Sequence, residues 1–96
     1  MIITFLSESV RDVYDGLESK QARRIPHSIW KTAQRKLDML NAAHSLNDLK
    51  APPANRLEAL KGQLKGKYSV RINDQYRLMF EFRDGNAYEV DIVDYH

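Results

Sequence analysis

The sequence predicts an α+β fold, with an N-terminal strand and two helices packed on a mainly antiparallel sheet. Two changes of period carry this reading. Apolar residues recur at spacings of three and four through residues 26–44, the pattern of a helix with one buried stripe. Beyond Pro52-Pro53 they recur at every second position in three short runs, the pattern of half-buried strands. A third observation concerns charge. Asn55–Arg77 carries Arg56, Lys61, Lys65, Lys67, Arg71 and Arg77 against Glu58 and Asp74, a local net charge of +4 in a chain of net +2. Residues 78–96 carry −4, so the weak overall charge conceals a cationic strip beside an acidic end, which suits a polyanionic partner.

A chain of 96 residues is expected to form one domain, 1–96, since a second core would be too small to stand alone. The absence of cysteine excludes a disulfide framework, thiolate metal ligands and a cysteine nucleophile. No stretch is long and apolar enough to predict a membrane span. MIITFL is too short for a signal-peptide core, so a cytoplasmic location is expected.

Ile2–Leu6 is β-branched and aromatic, and reads as the first strand. Ser7 offers an N-cap to a helix whose apolar positions are Val10, Val13, Tyr14 and Leu17, ending near Gly16. Ser19–Arg24 is a polar, basic connector. Pro26 suits the first turn of the second helix, along which Trp30, Ala33, Leu37, Leu40 and His44 form the buried stripe. Its polar face is left for a docking partner. Ser45–Lys50 adds a further turn before the prolines.

The strands are expected at Tyr68–Asn73, Tyr76–Phe82 and Tyr88–Val93. Parity sets their register. A two-residue turn at Asn73-Asp74 would mix apolar and polar faces, whereas a loop of residues 73–75 opposes Val70 to Leu78 and Arg71 to Arg77. A similar loop at 84–86 opposes Phe82 to Tyr88, Phe80 to Val90 and Leu78 to Ile92. Arg71 and Arg77 then become cross-strand neighbours on the open face. Either an anion sits between them or they splay apart into solvent.

Motifs for familiar chemistry are missing. His27 and His44 stand at opposite ends of one helix, outside metal-ligand spacing, and there is no phosphate-binding glycine loop or nucleophile elbow. No metal or cofactor is expected. Glu58, among cations, is either a salt-bridge partner or a general base held ionised by them. His96 is either a frayed terminus or a proton donor near neutral pH.

The run PPANRLEALKGQLKGKYSVRINDQYRLMFEFRDGNAYEVDIVDYH, with KLDMLNAA upstream, closely resembles HigB-type toxins of bacterial toxin–antitoxin modules, in the RelE/ParE superfamily. The resemblance implies a strand, two helices and a curved antiparallel sheet ending in a three-strand meander. It implies ribosome-dependent endoribonuclease activity: the ribose 2′-OH attacks the adjacent phosphate of an mRNA, and translation stops. Carried over residue by residue, Glu58 is the base, Arg77 the phosphate-contacting arginine, and Arg71 and Lys61 supporting cations. Asp94, Tyr95 and His96 match the terminal residues used in the active site, with His96 as the acid. In some relatives a His replaces Glu58, and Tyr76 stands where tryptophan is common. Arg56, Lys65 and Lys67 complete the expected phosphate-binding strip. Strict alternation places Tyr95 on the arginine face, so His96 reaches it only by a departure from strand geometry.

The implied partners are a helix-turn-helix, HigA-like antitoxin, the ribosome and mRNA, with operator DNA met only through the antitoxin and no membrane. Two other readings keep the fold. One is a ParE-like inhibitor of a protein such as gyrase, against which Glu58 and His96 argue. The other is a weakened toxin serving as antitoxin-bound corepressor.

Overall fold

The computed structural model describes residues 1–94. Three helices, α1 (Glu8–Tyr14), α2 (Trp30–Ala42) and α3 (Leu46–Lys50), pack on a sheet of β1 (Glu58–Ala59), β2 (Lys67–Arg71), β3 (Tyr76–Arg83) and β4 (Asn86–Asp94). The strands lie in chain order, each antiparallel to the next. This is the expected α+β architecture. The N-terminal strand is reduced to an extended segment docked parallel to β4 by isolated bridges, Ile2 to Ala87 and Phe5 to Val90.

The helices form where their caps and stripes dictate. The Ser7 hydroxyl accepts from the Val10 amide and starts α1. Leu17 falls beyond its last turn and is exposed, off the expected stripe. Pro26 precedes a 3₁₀ turn, His27–Ile29, so α2 begins at Trp30, later than its pattern suggested. Trp30, Ala33, Leu37 and Leu40 are buried as the spacing requires, and the indole N–H donates to the Ile25 carbonyl at 2.8 Å. His44 lies past the end of α2 and is exposed, with Ala43 taking the inward position. A capping box between Ser45 and Asp48 begins α3.

The first hairpin has the predicted register. Val70 opposes Leu78 and Arg71 opposes Arg77, around a loop in which the Asn73 side chain accepts from the amides of Gln75 and Tyr76 at 2.9 and 2.7 Å. The second hairpin differs. Arg83 pairs with Asn86 across a two-residue turn, Asp84-Gly85, both with positive φ (53° and 76°), not across a loop of residues 84–86. Phe82 therefore opposes Ala87, not Tyr88, and Tyr88 turns to the other face, where the Arg83 guanidinium lies 3.9 Å from its ring centre. A bulge restores the phase: Glu89 and Val90 together face Phe80, with Glu89 at φ 51°. From there Leu78 opposes Ile92 as expected.

Val70, Ile72, Leu78, Phe80, Ala87 and Val90 form the sheet side of the core, and Ile92 is only partly buried against it. Leu78 has no solvent exposure. Leu78→Ala should cost about 2–5 kcal/mol in a denaturant titration, the range for a buried leucine that leaves a cavity.

Candidate active site

Arg77 is the expected cation whose surroundings differ most from expectation. It belongs to the open-face register, opposite Arg71, yet is only 7% exposed. Its side chain crosses β2 toward the edge strand β1. Nε donates to the Ser69 hydroxyl at 2.8 Å, and Nη2 donates to the carbonyls of Ser69, at 3.3 Å, and Arg56. Burying a guanidinium is costly unless its N–H groups are satisfied, and these acceptors meet that condition.

The acceptors are positioned by distant packing. Ser69 is buried on β2, opposite Glu58. Arg56 follows a 3₁₀ turn, Pro53–Asn55, and takes a left-handed conformation (φ 45°, ψ 56°) that L-residues seldom adopt. Asn55, 1% exposed, secures this turn to the helices. Its amide donates to the Leu49 carbonyl at 3.1 Å and contacts the Met39 sulfur, and its oxygen accepts from Lys36.

Glu58 completes the centre. β1 is only two residues long and was not anticipated, but its pairing with β2 places Oε1 of Glu58 at 3.9 Å from Nη2 of Arg77. The carboxylate is half exposed while the guanidinium is buried, so the pair has one wet side. A phosphate diester could approach there, meeting an acceptor for a hydroxyl proton beside a fixed positive charge.

The other strip cations divide. Arg71 is turned aside to Asp74, and no anion is needed to reconcile it with Arg77. Lys67 pairs with Glu89 at 3.4 Å, tying β2 to the bulge. Lys61 and Lys65 are exposed along the loop joining β1 to β2 and line a shallow depression with Lys67 and Tyr68. Asp94 opposes Tyr76, one position out of phase with Arg77, and accepts from Nε2 of the Gln75 side chain at 3.2 Å. The expected roles of Tyr95 and His96 fall outside the described residues. Among the described residues no cluster of three or more His, Asp or Glu side chains could hold a metal ion.

Ser69 and the Arg56 carbonyl were missed. A serine between tyrosine and valine reads as an ordinary outward strand residue, and nothing marks Arg56 as left-handed. Lys36 was also passed over. Burial, then Arg35 and Arg71, lowers its pKa below that of an ordinary lysine.

These features place the chain in a class: a small α+β protein with a buried arginine and an exposed carboxylate at a sheet edge. The model of the HigB-like toxin family, RelE-like toxins of type II toxin–antitoxin systems, matches residues 4–96. Toxin HigB-1 of Vibrio cholerae is 44% identical over 87 residues, 91% of this chain and 90% of that protein. Endoribonuclease HigB of Proteus vulgaris is 37% identical over 41 residues, 43% of this chain and 45% of that protein. Among solved structures, a chain of a heterotetrameric YoeB–YefM toxin–antitoxin complex from Staphylococcus aureus superposes with a TM-score of 0.61 at 21% identity, covering 100% of this chain and 98% of that one. YafQ of Escherichia coli superposes at 0.55 and 16% identity, covering 98% and 93%. The chain belongs to the HigB-like toxin family of type II toxin–antitoxin systems. Among the described residues no helix is long and apolar enough to cross a membrane.

Two outcomes are expected from this geometry. Ser69→Ala should destabilise the protein by about 1–3 kcal/mol, because a buried charged donor loses an acceptor, and Ser69→Thr should restore most of it. By NMR titration, Lys36 should lose its proton at lower pH than an ordinary lysine, and Arg71→Ala should raise its midpoint by removing a repelling charge.

Proposed function

We propose that this toxin is an endoribonuclease that cuts mRNA on the ribosome, with Glu58 and Arg77 at the reacting phosphate. The observation that carries the reading is the Glu58–Arg77 pair, a half-exposed carboxylate 3.9 Å from an anchored guanidinium. Glu58 takes the proton of the ribose 2′-OH, the oxygen attacks the adjacent phosphate, and Arg77 stabilises the charge gathered on the phosphoryl oxygens. His96 donates the proton to the departing 5′-oxygen, with Tyr95 and Asp94 beside it. Lys61, Lys65 and Arg56 hold flanking phosphates, joined by Lys67 and Arg71 where a phosphate displaces Glu89 and Asp74 from them. The Proteus vulgaris relative's name, endoribonuclease, supports the class of reaction.

So shallow a site holds a flexible RNA poorly by itself. Positioning alone can supply roughly 7–11 kcal/mol of a barrier, and the ribosome, presenting mRNA in a fixed conformation, provides it. An antitoxin, HigA-like in this family and the kind of partner held by the Staphylococcus aureus YoeB–YefM complex, silences the toxin in the cytoplasm.

Single-turnover cleavage on programmed ribosomes tests the assignment. Glu58→Gln, Arg77→Ala and deletion of His96 should each slow cutting by about 10²–10⁴-fold, the range for a lost acid, base or electrostatic contact. A 2′-deoxy substitution at the cut position should abolish cleavage and spare binding. Wild-type rates for both Glu58→Gln and the His96 deletion, with Arg77→Ala inactive, would leave the centre a phosphate clamp only.

A further inference from the structure

Between Leu49 and Ser69 only one residue is buried, and it is polar: Asn55, 1% exposed. Its neighbours Ala54 and Arg56 are exposed, and Leu57 is partly covered. This span carries the Arg56 carbonyl that accepts from Arg77 and, two residues on, Glu58.

The two are held differently. Glu58 and Ala59 pair with Ser69 and Tyr68, and the Leu60 amide donates to the Lys67 carbonyl at 2.9 Å, so the sheet ladder fixes Glu58. Arg56 lies ahead of that ladder. The backbone bonds around it close within the turn, from the Asn55 amide to the Pro52 carbonyl at 3.0 Å and from the Arg56 amide to the Pro53 carbonyl at 3.1 Å. They shape the turn without tying it to the body of the protein. The buried tie is the Asn55 side chain, which donates to the Leu49 carbonyl at 3.1 Å and accepts from Lys36 of α2.

Packing alone does not ask for a polar side chain here. An apolar one would fill the space beside Met39 and Leu49, whereas a buried amide destabilises the fold unless it meets both a donor and an acceptor. What the amide adds is direction. With its N–H groups toward Leu49 and its oxygen toward Lys36, it admits one orientation of the turn. Arg56 is then held left-handed at φ 45°, a conformation that persists only where the surroundings over-determine it, and its carbonyl meets Arg77.

We propose that Asn55 is a positioning residue for Arg77: it orients the Arg56 carbonyl and so sets where the guanidinium meets the phosphate being cut. The proposal rests on the nuclease reading of the Glu58–Arg77 pair. Asn55 touches no reacting atom, so its loss should act on the rate and not on binding. The test uses Asn55→Ala in the whole toxin, its folding checked by a thermal melt. In single-turnover cleavage on programmed ribosomes the saturated rate should fall about 10- to 100-fold, the penalty of a misplaced group, while the concentration for half-maximal cutting stays within about twofold. In an Arg77→Ala background the same substitution should slow cutting no further, because the group it acts through is gone. Asn55→Asp, which keeps the acceptor for Lys36, should recover part of the rate. In the free toxin, NMR should show the Arg77 Nε–H, bonded to the Ser69 hydroxyl, exchanging with water about tenfold faster or more in Asn55→Ala. The amides of Leu78 and Phe80 should stay as protected as in the wild type. Equal loss of rate in the wild-type and Arg77→Ala backgrounds would overturn the proposal and reduce Asn55 to a general contribution to folding. So would a wild-type rate in Asn55→Ala, or unchanged Nε–H exchange. If Asn55→Ala does not fold, Asn55→Asp and Lys36→Gln carry the same readouts. If the wild-type toxin does not cut programmed ribosomes, the nuclease reading falls, and the Nε–H exchange still decides whether Asn55 positions Arg77.

Discussion

A guanidinium cannot be taken out of water unless its N–H groups meet acceptors, and the burial of Arg77 imposes that condition on much of the fold. It requires a hydroxyl on β2, which Ser69 supplies, and a carbonyl turned inward ahead of β1, which requires the unusual backbone of Arg56. That backbone is held because Asn55 is pinned between Leu49, Met39 and Lys36. The helical layer and the sheet edge are therefore mechanically joined through a few buried polar contacts. A charge held this way has lost its side-chain freedom before any ligand arrives.

Much of the sheet was legible because side-chain phase alternates strictly and a wrong register would expose half the core. Val70, Leu78 and the pairing of Arg71 with Arg77 followed from that alone. The turn at Asp84-Gly85 misled because two departures cancel: it is one residue shorter than expected, and the bulge at Glu89 adds the residue back. Parity registers only the sum. The α2 stripe was legible as far as Leu40, but periodicity cannot see where a helix stops, so His44 was placed inside it.

The site was half legible. Glu58 and Arg77 stood out by charge, and the structure brings them together. Parity put Arg77 on the open face because it sorts side chains by face and ignores their reach. A long arginine lying across its own sheet escapes that rule. Ser69 and the Arg56 carbonyl escaped because one is an unremarkable residue type and the other a backbone atom. The charge count also misled in emphasis, since pairing with Glu89 and Asp74 offsets Lys67 and Arg71 within the protein.

The extended N-terminal segment rests on the last strand, with the Glu89 amide donating to the Thr4 hydroxyl across 85 residues of sequence. Its backbone partners are Ala87 and Val90 on β4, and the Met1 amino group donates to the Gly85 carbonyl in the turn before it at 3.5 Å. During synthesis residues 1–6 therefore wait for β4 before they can dock, and until then the edge of the core they cover stays open. Contacts of such long range close late, because the chain entropy lost in joining them is recovered only when the rest is in place. This ordering keeps that edge of the core from closing until β4 has been made and paired.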